Sequence, residues 1–262
     1  MIRLLIAITA LIFLNSCTSK PAEPIKALLL TGGCCHDYDA QKKLIQKFTK
    51  EKVNVQWTVL HEGGKGGDHR FSIYSEKDWA DKFDVVVHNE CFAKTKDDDF
   101  ISSVVKAHLD SDIGVMMVHC AMHTFRDAKE GTEAWCKLIG LQSKRHEHQG
   151  NYALENIAPK HPIMQGFPQM WQAPKDELYI VIREFPNMTP LARAYGPSSK
   201  KWSPIIWTNE LDDNRIFGIS HGHNTKTMED PVFQKVFTNA LLWTCRKLND
   251  DGTPKAGYEA KK

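Results

Sequence analysis

The sequence lacks the short motifs that mark several large enzyme classes. It has no HExxH or CxxC pattern, no dinucleotide-binding glycine fingerprint and no internal repeat. A glycine-rich run at residues 63–67 lacks the Gly-Lys-Ser or Gly-Lys-Thr ending of a phosphate-binding loop, so we interpret it as a flexible lid. We therefore expect no nucleotide cofactor, and the sequence contains no ready-made zinc motif.

An excess of charge of one sign is also missing. Lysine and arginine number 34 against 32 aspartate and glutamate residues, which gives a net charge of +2. No long basic stripe occurs, so nucleic acid is not an expected partner. The apolar run at residues 4–14 is only about a dozen residues long and is too short to span a bilayer.

The N-terminus instead has the pattern of an exported lipoprotein. Arg3 precedes the apolar run 4–14, and Cys17 directly follows a small residue. We expect residues 1–16 to be a signal peptide, Cys17 to be lipidated and residues 17–25 to be a tether. The residue after Cys17 is not acidic, which favours a periplasm-facing position on the outer membrane. An ordinary cleaved signal, with Cys17 incidental, is the alternative.

The remaining chain, roughly 240 residues, predicts one α/β domain at residues 26–248. Four apolar runs predict buried strands at 25–31, 53–60, 83–88 and 113–118. Runs with helical spacing lie between or after them, at 39–50, 96–109 and 132–139. This alternation predicts a mostly parallel, doubly wound sheet. Short strands and a last helix at 231–246 follow, and the polar residues 249–262 are expected to be disordered.

Histidines are concentrated where predicted strands end. Seven of the twelve follow or close such a run: His36, His61, His88, His119, His123, His221 and His223. Open parallel sheets bind ligands outside the carboxyl ends of their strands. Histidine is suited to proton transfer near neutral pH and to metal ligation. The pattern predicts a catalytic or metal-binding crevice, to which His61 and His88 are the weaker candidates.

Three residues are the candidate catalytic groups. His36 follows two glycines after the first strand, and His119 occupies a sharp strand-to-helix turn of the nucleophile-elbow type. Glu177 begins a predicted strand beside aromatic surface, where desolvation can raise a carboxyl pKa for acid–base work. Cys120, next to the elbow, is an alternative nucleophile. The six cysteines after Cys17 have no pairing that spacing reveals.

Other residues are candidates for binding. His146 and His148 alternate along a predicted strand and can share a ligand. His221 and His223 flank a glycine and can chelate a divalent metal, although two nitrogens are half of a tetrahedral site. The predicted substrate-binding residues are His123, His146, His148, Trp207 and His221.

Several segments together resemble the trehalose-utilisation (ThuA-like) family. They are residues 27–33 with His36, 118–121, 161–163, 176–179, 204–208, 215–217 and 222–223. The resemblance implies a flavodoxin-like three-layer sandwich of the class I glutamine-amidotransferase type. It also implies histidine where that superfamily has its nucleophilic cysteine, so amidotransferase activity is not implied. The adjacent Cys34 and Cys35, and Cys120, depart from the small residues usual in the family.

The family is associated with the uptake and breakdown of disaccharides such as trehalose, often through 3-keto-sugar intermediates. The resemblance therefore implies an exported carbohydrate-utilisation enzyme with a sugar as its small-molecule partner. A non-catalytic sugar-binding lipoprotein and a Cys120-dependent hydrolase remain open. The sequence does not indicate an oligomeric state.

Overall fold

A computed structural model describes residues 22–261 of the chain. The predicted signal peptide and the lipidation site at Cys17 lie outside these residues. Within the described part of the chain, no helix is both long and apolar enough to cross a membrane.

Nine strands form one sheet in the order β2-β1-β3-β4-β11-β10-β9-β6-β7, and β5 pairs with β8 separately. The strands are β1 Ile25–Gly33, β2 Val55–His61, β3 Val85–Cys91, β4 Gly114–Val118, β5 Leu141–His146, β6 Ala153–Asn156, β7 Met170–Gln172, β8 Tyr179–Glu184, β9 Met188–Gly196, β10 Lys201–Leu211 and β11 Asn214–Ile219. The helices are α1 Tyr38–Lys50, α2 Asp98–Asp110, α3 Glu130–Ile139, α4 Thr225–Glu229 and α5 Pro231–Thr244.

The first five strands of this order, β2 to β11, are mutually parallel, and the remaining pairings are antiparallel. The predicted alternation of strands and helices is thus confirmed in the first half. In the second half, prediction missed the separate β5–β8 pair and the short β7. Only part of each of these strands is apolar and buried, so their periodicity is weak.

Successive residues of the central strands face opposite helical layers. In β4, Met116 and Val118 pack in the cluster that contains α1 and α5, whereas Val115 and Met117 pack with α2 and α3. Side chains of a strand alternate between its two faces, and helices cover both faces here. Each fully buried aliphatic side chain contributes about 1.5–3 kcal/mol. The result is a three-layer α/β sandwich.

Helix ends are defined by capping residues. Asp37, Asp97 and Asp230 begin α1, α2 and α5 by accepting a hydrogen bond from a backbone N–H of the first turn. Gly140 ends α3 with a φ of 90°, which glycine adopts without steric cost. Since Asp37 directly follows His36, the cap of α1 also determines where His36 leaves the sheet.

The C-terminal segment corrects one expectation. Residues 249–261 were expected to be disordered, but the structure orders them along the edge of the sheet. The Asn54 N–H donates to the Tyr258 carbonyl at 2.9 Å, and Val53 forms an isolated bridge with Glu259. Polar composition misled here because backbone hydrogen bonds, rather than buried side chains, hold this segment.

Candidate functional site

The site lies at the carboxyl ends of the parallel strands, as the histidine pattern predicted. An outer cleft of about 800 Å³ adjoins an inner cavity of about 250 Å³, and both are lined by Cys35, His36 and His223. His123, His146 and Glu177 complete the inner wall. Loops after β1, β4 and β11 therefore meet the segments beside β5 and β8 at one point.

Three imidazoles enter this site in the same manner. The Nδ1 atom of each lies within hydrogen-bond distance of a backbone carbonyl: His36 at 3.2 Å, His119 at 2.6 Å and His146 at 2.7 Å. A carbonyl can only accept, so each Nδ1 must carry the proton and donate it. In the neutral rings, the unprotonated nitrogen is therefore Nε2. A fixed tautomer of this kind is typical of metal-ligating and general-base histidines.

Glu177 stands among the histidines. Its Oε2 atom is 3.4 Å from Nε2 of His119 and 3.6 Å from Nε2 of His146, and its Oε1 atom is 3.2 Å from Nδ1 of His223. Burial acts to raise the pKa of Glu177, but hydrogen bonds from His119 and His223 outweigh it and hold the pKa well below its usual value. The hydrogen bond with Glu177 raises the pKa of His223.

Asp176 holds the two halves of the site together. Its fully buried carboxylate accepts hydrogen bonds from the backbone N–H groups of Glu177, Gly222 and His223, at 2.7, 3.0 and 3.2 Å, and from the Thr227 hydroxyl at 2.5 Å. Burial acts to raise the pKa of Asp176, but nearby histidines and these donors lower it overall. The loop before β8 is thereby bound to the loop after β11.

Tyr179 supports the same wall. Its ring stacks on that of His123 with centroids 4.4 Å apart, and on that of His146 at 5.6 Å. Its hydroxyl lies 3.4 Å from Nε2 of His119. Burial, with a smaller effect of Arg126, lowers the pKa of His123 to about 3, so this imidazole is neutral near pH 7.

One group of ring nitrogens is suited to a cation. Single nitrogen atoms of His36, His119 and His223 all lie within 4.8 Å of one another. Burial, then the charges of His119 and His223, lower the pKa of His36 to about 3, so that its ring keeps a lone pair at neutral pH. The donor set fits a divalent transition metal, because imidazole is the commonest ligand for such ions.

Three predicted binding residues lie elsewhere. Trp207 is fully buried under α3, where its Nε1–H donates to the Ile139 carbonyl at 2.7 Å, so the prediction that it binds substrate is wrong. His221 is also fully buried, and its ring lies beside Trp171 rather than in the cation group. His148 is on the surface and does not line the inner cavity.

The alternative nucleophile Cys120 is corrected as well. Its sulfur is joined to that of Cys91 in a disulfide, so it has no thiol to act as a nucleophile. Cys34 and Cys35 are joined to each other in the same way. The strand-to-helix turn itself is confirmed: His119 has a φ of 50°, a left-handed conformation that a non-glycine residue rarely adopts.

His88 has a separate, buried role. His108 donates its Nδ1–H to the Val104 carbonyl at 2.7 Å, so its Nε2 accepts from Nε2–H of His88 at 3.1 Å. Nδ1 of His88 must then accept, and the Glu90 carboxyl at 2.9 Å must carry the proton. Burial raises the pKa of Glu90 well above its usual value, which agrees with this assignment. The chain of hydrogen bonds is a structural network in the core.

Sequence reasoning missed Asp176, Tyr179 and Gln149 as site residues. Asp176 and Tyr179 flank Glu177 in the same short segment, and that adjacency was an available signal. Gln149, whose Nε2 lies 2.8 Å from Nε2 of His223, had no such signal because it sits in an irregular loop.

Solved structures agree with this architecture. A ThuA-like protein from Parabacteroides merdae has a TM-score of 0.70 at 18% identity, covering 92% of this chain and 98% of its own. One from Bacteroides uniformis has a TM-score of 0.64 at 15% identity, covering 86% and 94%. A GMP synthase glutamine-amidotransferase-like protein from Thermoplasma acidophilum has a TM-score of 0.54 at 11% identity, covering 86% and 96%. This last likeness confirms the predicted glutamine-amidotransferase-like fold class.

Comparison with curated proteins gives no match. The family model described as trehalose utilisation, in contrast, matches residues 26–244. This span covers the sheet, the helices and every residue of the histidine cluster. The chain belongs to the trehalose-utilisation (ThuA) family.

Proposed function

We propose that the protein is a carbohydrate-utilisation enzyme that removes a proton next to the carbonyl of an oxidised sugar, such as a 3-keto-glycoside. The observation that carries the proposal is the set of three imidazoles with fixed tautomers around one carboxylate, Glu177. Membership of a family named for trehalose utilisation supports a sugar as the substrate class.

Glu177 is the proposed general base. The histidines around it keep it ionised near pH 7, so that it can accept a proton from carbon. A bound sugar would exclude water from the carboxylate, and desolvation raises its pKa towards the range of an effective base. His146, whose side chain is 41% exposed, is placed to carry the accepted proton from Glu177 to solvent.

The electron pair left by the proton moves onto the carbonyl oxygen of the sugar. His36, His119 and His223 are the residues that would hold a divalent cation, which would supply Lewis-acid polarisation of that carbonyl. The Ser220 carbonyl fixes the ring of His119, and the backbone around Asp176 fixes the loop of His223. The site thus orients its donors before the substrate arrives.

A direct test uses 3-keto-glycosides in deuterated water. We expect the purified protein to exchange the hydrogen next to the keto group for deuterium, with faster exchange after loading with a divalent cation. NMR measures the exchange, and elemental analysis measures the bound metal. Absence of exchange and product under all metal conditions, together with saturable sugar binding by calorimetry, would establish a non-catalytic sugar-binding protein instead.

We also propose that the mature chain is a lipoprotein, anchored through Cys17 to the periplasmic face of the outer membrane. The support is in the sequence: Arg3, the apolar run 4–14 and the small residue before Cys17. A surface anchor would hold the enzyme where imported sugars enter the periplasm.

A further inference from the structure

Four cysteines line one wall of the inner cavity. Cys34 and Cys35 follow β1, Cys91 is the last residue of β3, and Cys120 lies in the turn after β4. These three strands are neighbours in the sheet. Cys91 and Cys120 are buried, with 7% and 8% of their surface exposed, and Cys34 packs against them. The chemistry of this wall is not used by the proposed acid–base reaction.

His36 lies beside the Cys91–Cys120 pair. One ring nitrogen of His36 and the sulfur atoms of Cys91 and Cys120 all lie within 4.8 Å of one another. The His36 ring is oriented by the His223 carbonyl, to which its Nδ1–H donates at 3.2 Å. The pair therefore contacts a ring whose other nitrogen offers a lone pair to a ligand.

We propose that reduction of the Cys91–Cys120 disulfide creates a second metal site, in which two thiolates and His36 bind a soft divalent cation such as Zn²⁺. Two cysteines and one histidine are a recurrent zinc ligand set that leaves a fourth position open. Thiolate ligands select softer metals than the all-imidazole set formed by His36, His119 and His223. The two sets share His36.

The reduction balances with an external dithiol. The dithiol loses two electrons and two protons and becomes a disulfide. The Cys91–Cys120 bond breaks, and each sulfur gains one electron and one proton. Binding of Zn²⁺ then releases both protons to solvent, since thiolate is the metal-binding form.

The placement argues against a purely structural crosslink. Cys91 and Cys120 stand at the ends of β3 and β4, which the sheet already pairs directly, so the bond joins neighbouring segments. The remaining described cysteines, Cys136 and Cys245, are free and lie outside both cavities. A disulfide on the cavity wall, against a histidine, is accessible to a ligand in a way that a crosslink in the core is not.

The test uses the full chain, treated with dithiothreitol, desalted without oxygen and titrated with Co²⁺. We expect a thiolate-to-cobalt charge-transfer band that saturates at one equivalent and disappears when Zn²⁺ is added. The band should vanish in Cys91→Ser and Cys120→Ser, and His36→Ala should weaken Co²⁺ binding at least tenfold. Without reduction, the chain should show no such band.

Two controls isolate the site. The band should persist in a Cys34→Ser, Cys35→Ser double variant and in a Cys136→Ser, Cys245→Ser double variant. A reduced chain without the band, or a band that survives in the Cys91→Ser, Cys120→Ser double variant, overturns the proposal. So does unfolding on reduction, followed by near-ultraviolet circular dichroism, because the bond would then be structural. None of these readouts requires sugar turnover, so the proposal stands or fails independently of the proposed function.

Discussion

Residues of the site are defined more by their hydrogen bonds than by their types. His36, His119 and His146 each commit Nδ1–H to a carbonyl, and Ser220, Glu147 and the backbone of His223 supply those carbonyls. His221 has no such partner on either ring nitrogen. The same side chain therefore serves as an oriented base or ligand in three places and as a packed ring in another.

Replacing Glu177 tests the residue at the centre of the site. Glu177→Gln keeps the shape of the side chain but cannot accept a proton. We expect kcat on 3-keto-glycosides to fall by about 10²–10⁴-fold, the usual contribution of a general base, with little change in KM. Steady-state kinetics measures both constants.

Glu155→Gln is the matched control, because Glu155 pairs with Arg193 at 2.8 Å outside the cleft. It makes the same chemical change and should leave both constants unaltered. An undiminished kcat in Glu177→Gln would contradict the assignment of the base.

At this scale, the sequence predicted part of the site well. His36, His119 and Glu177 were brought together correctly, because each is close to the end of a strand or the start of one. Trp207 was misplaced because its residue type suits sugar stacking and core packing equally. Whether a strand side chain faces a cleft or a covering helix depends on α3, which is more than sixty residues away in sequence.

Elements of the second half are joined to the site by two buried carboxylates. Asp176 ties the start of β8 to the loop after β11, and Glu147 ties the end of β5 to the turn between β9 and β10. These connections replace the regular packing of strand and helix that organises the first half. The sequence could not predict them, because an isolated Asp or Glu gives no sign of its partners.

Asp176→Asn should loosen the junction of β8 and β11. The carboxylate accepts several donors, and an amide presents N–H groups to part of them. We expect the free energy of unfolding to fall by about 1–3 kcal/mol, the cost of leaving buried donors unpaired. Urea unfolding measures this change.

Thr227→Val serves as a comparison, since it removes only the hydroxyl donor at 2.5 Å from Asp176. It should have the smaller effect. Equal stability of Asp176→Asn and the unmodified chain would show that this junction does not hold the two loops.

Glu147 makes stability depend on acid. Its carboxylate accepts from the backbone N–H of Ser198 at 3.1 Å and of Ser199 at 2.8 Å. Burial acts to raise the pKa of Glu147, but these serine donors outweigh it and lower the pKa to about 2, from 4.5. The stabilisation is therefore complete above about pH 4.5 and is lost as the pH falls towards 2.

Chemical unfolding of the unmodified chain and of Glu147→Gln across this pH range measures the effect. We expect a difference of about 1–3 kcal/mol at pH 7 that shrinks towards pH 2. The exposed Glu51 provides the control, because Glu51→Gln should give a small, unchanging difference. A gap between Glu147→Gln and the parent that is constant with pH would exclude this explanation.

The whole molecule joins a regular parallel half to an irregular antiparallel half. Sequence periodicity predicted the first half because its strands are covered on both faces and are apolar throughout. It predicted the second half less well, since β5 and β8 each carry an exposed end. The C-terminal segment was misjudged for a related reason: hydrogen bonds between backbone groups leave no pattern in side-chain composition.

Cys17→Ser tests the proposed attachment of the whole molecule to the membrane. Serine cannot form the thioether that carries the lipid. We expect the variant to move from the membrane fraction to the soluble envelope fraction, as measured by fractionation and immunoblotting. Cys245→Ser, which lies in the folded domain, should leave the distribution unchanged. Retention of Cys17→Ser in the membrane fraction would contradict anchoring through this residue.

His36 and the His223 carbonyl that orients it stand 187 positions apart in the chain. The histidine cluster therefore cannot exist on a partly synthesised or partly folded chain, because β11 must join β4 before His223 reaches His36. A chain exported unfolded would complete this cluster only after crossing the membrane. The ion it captures would then be chosen by the metals present where folding finishes, rather than by those present where the chain is made.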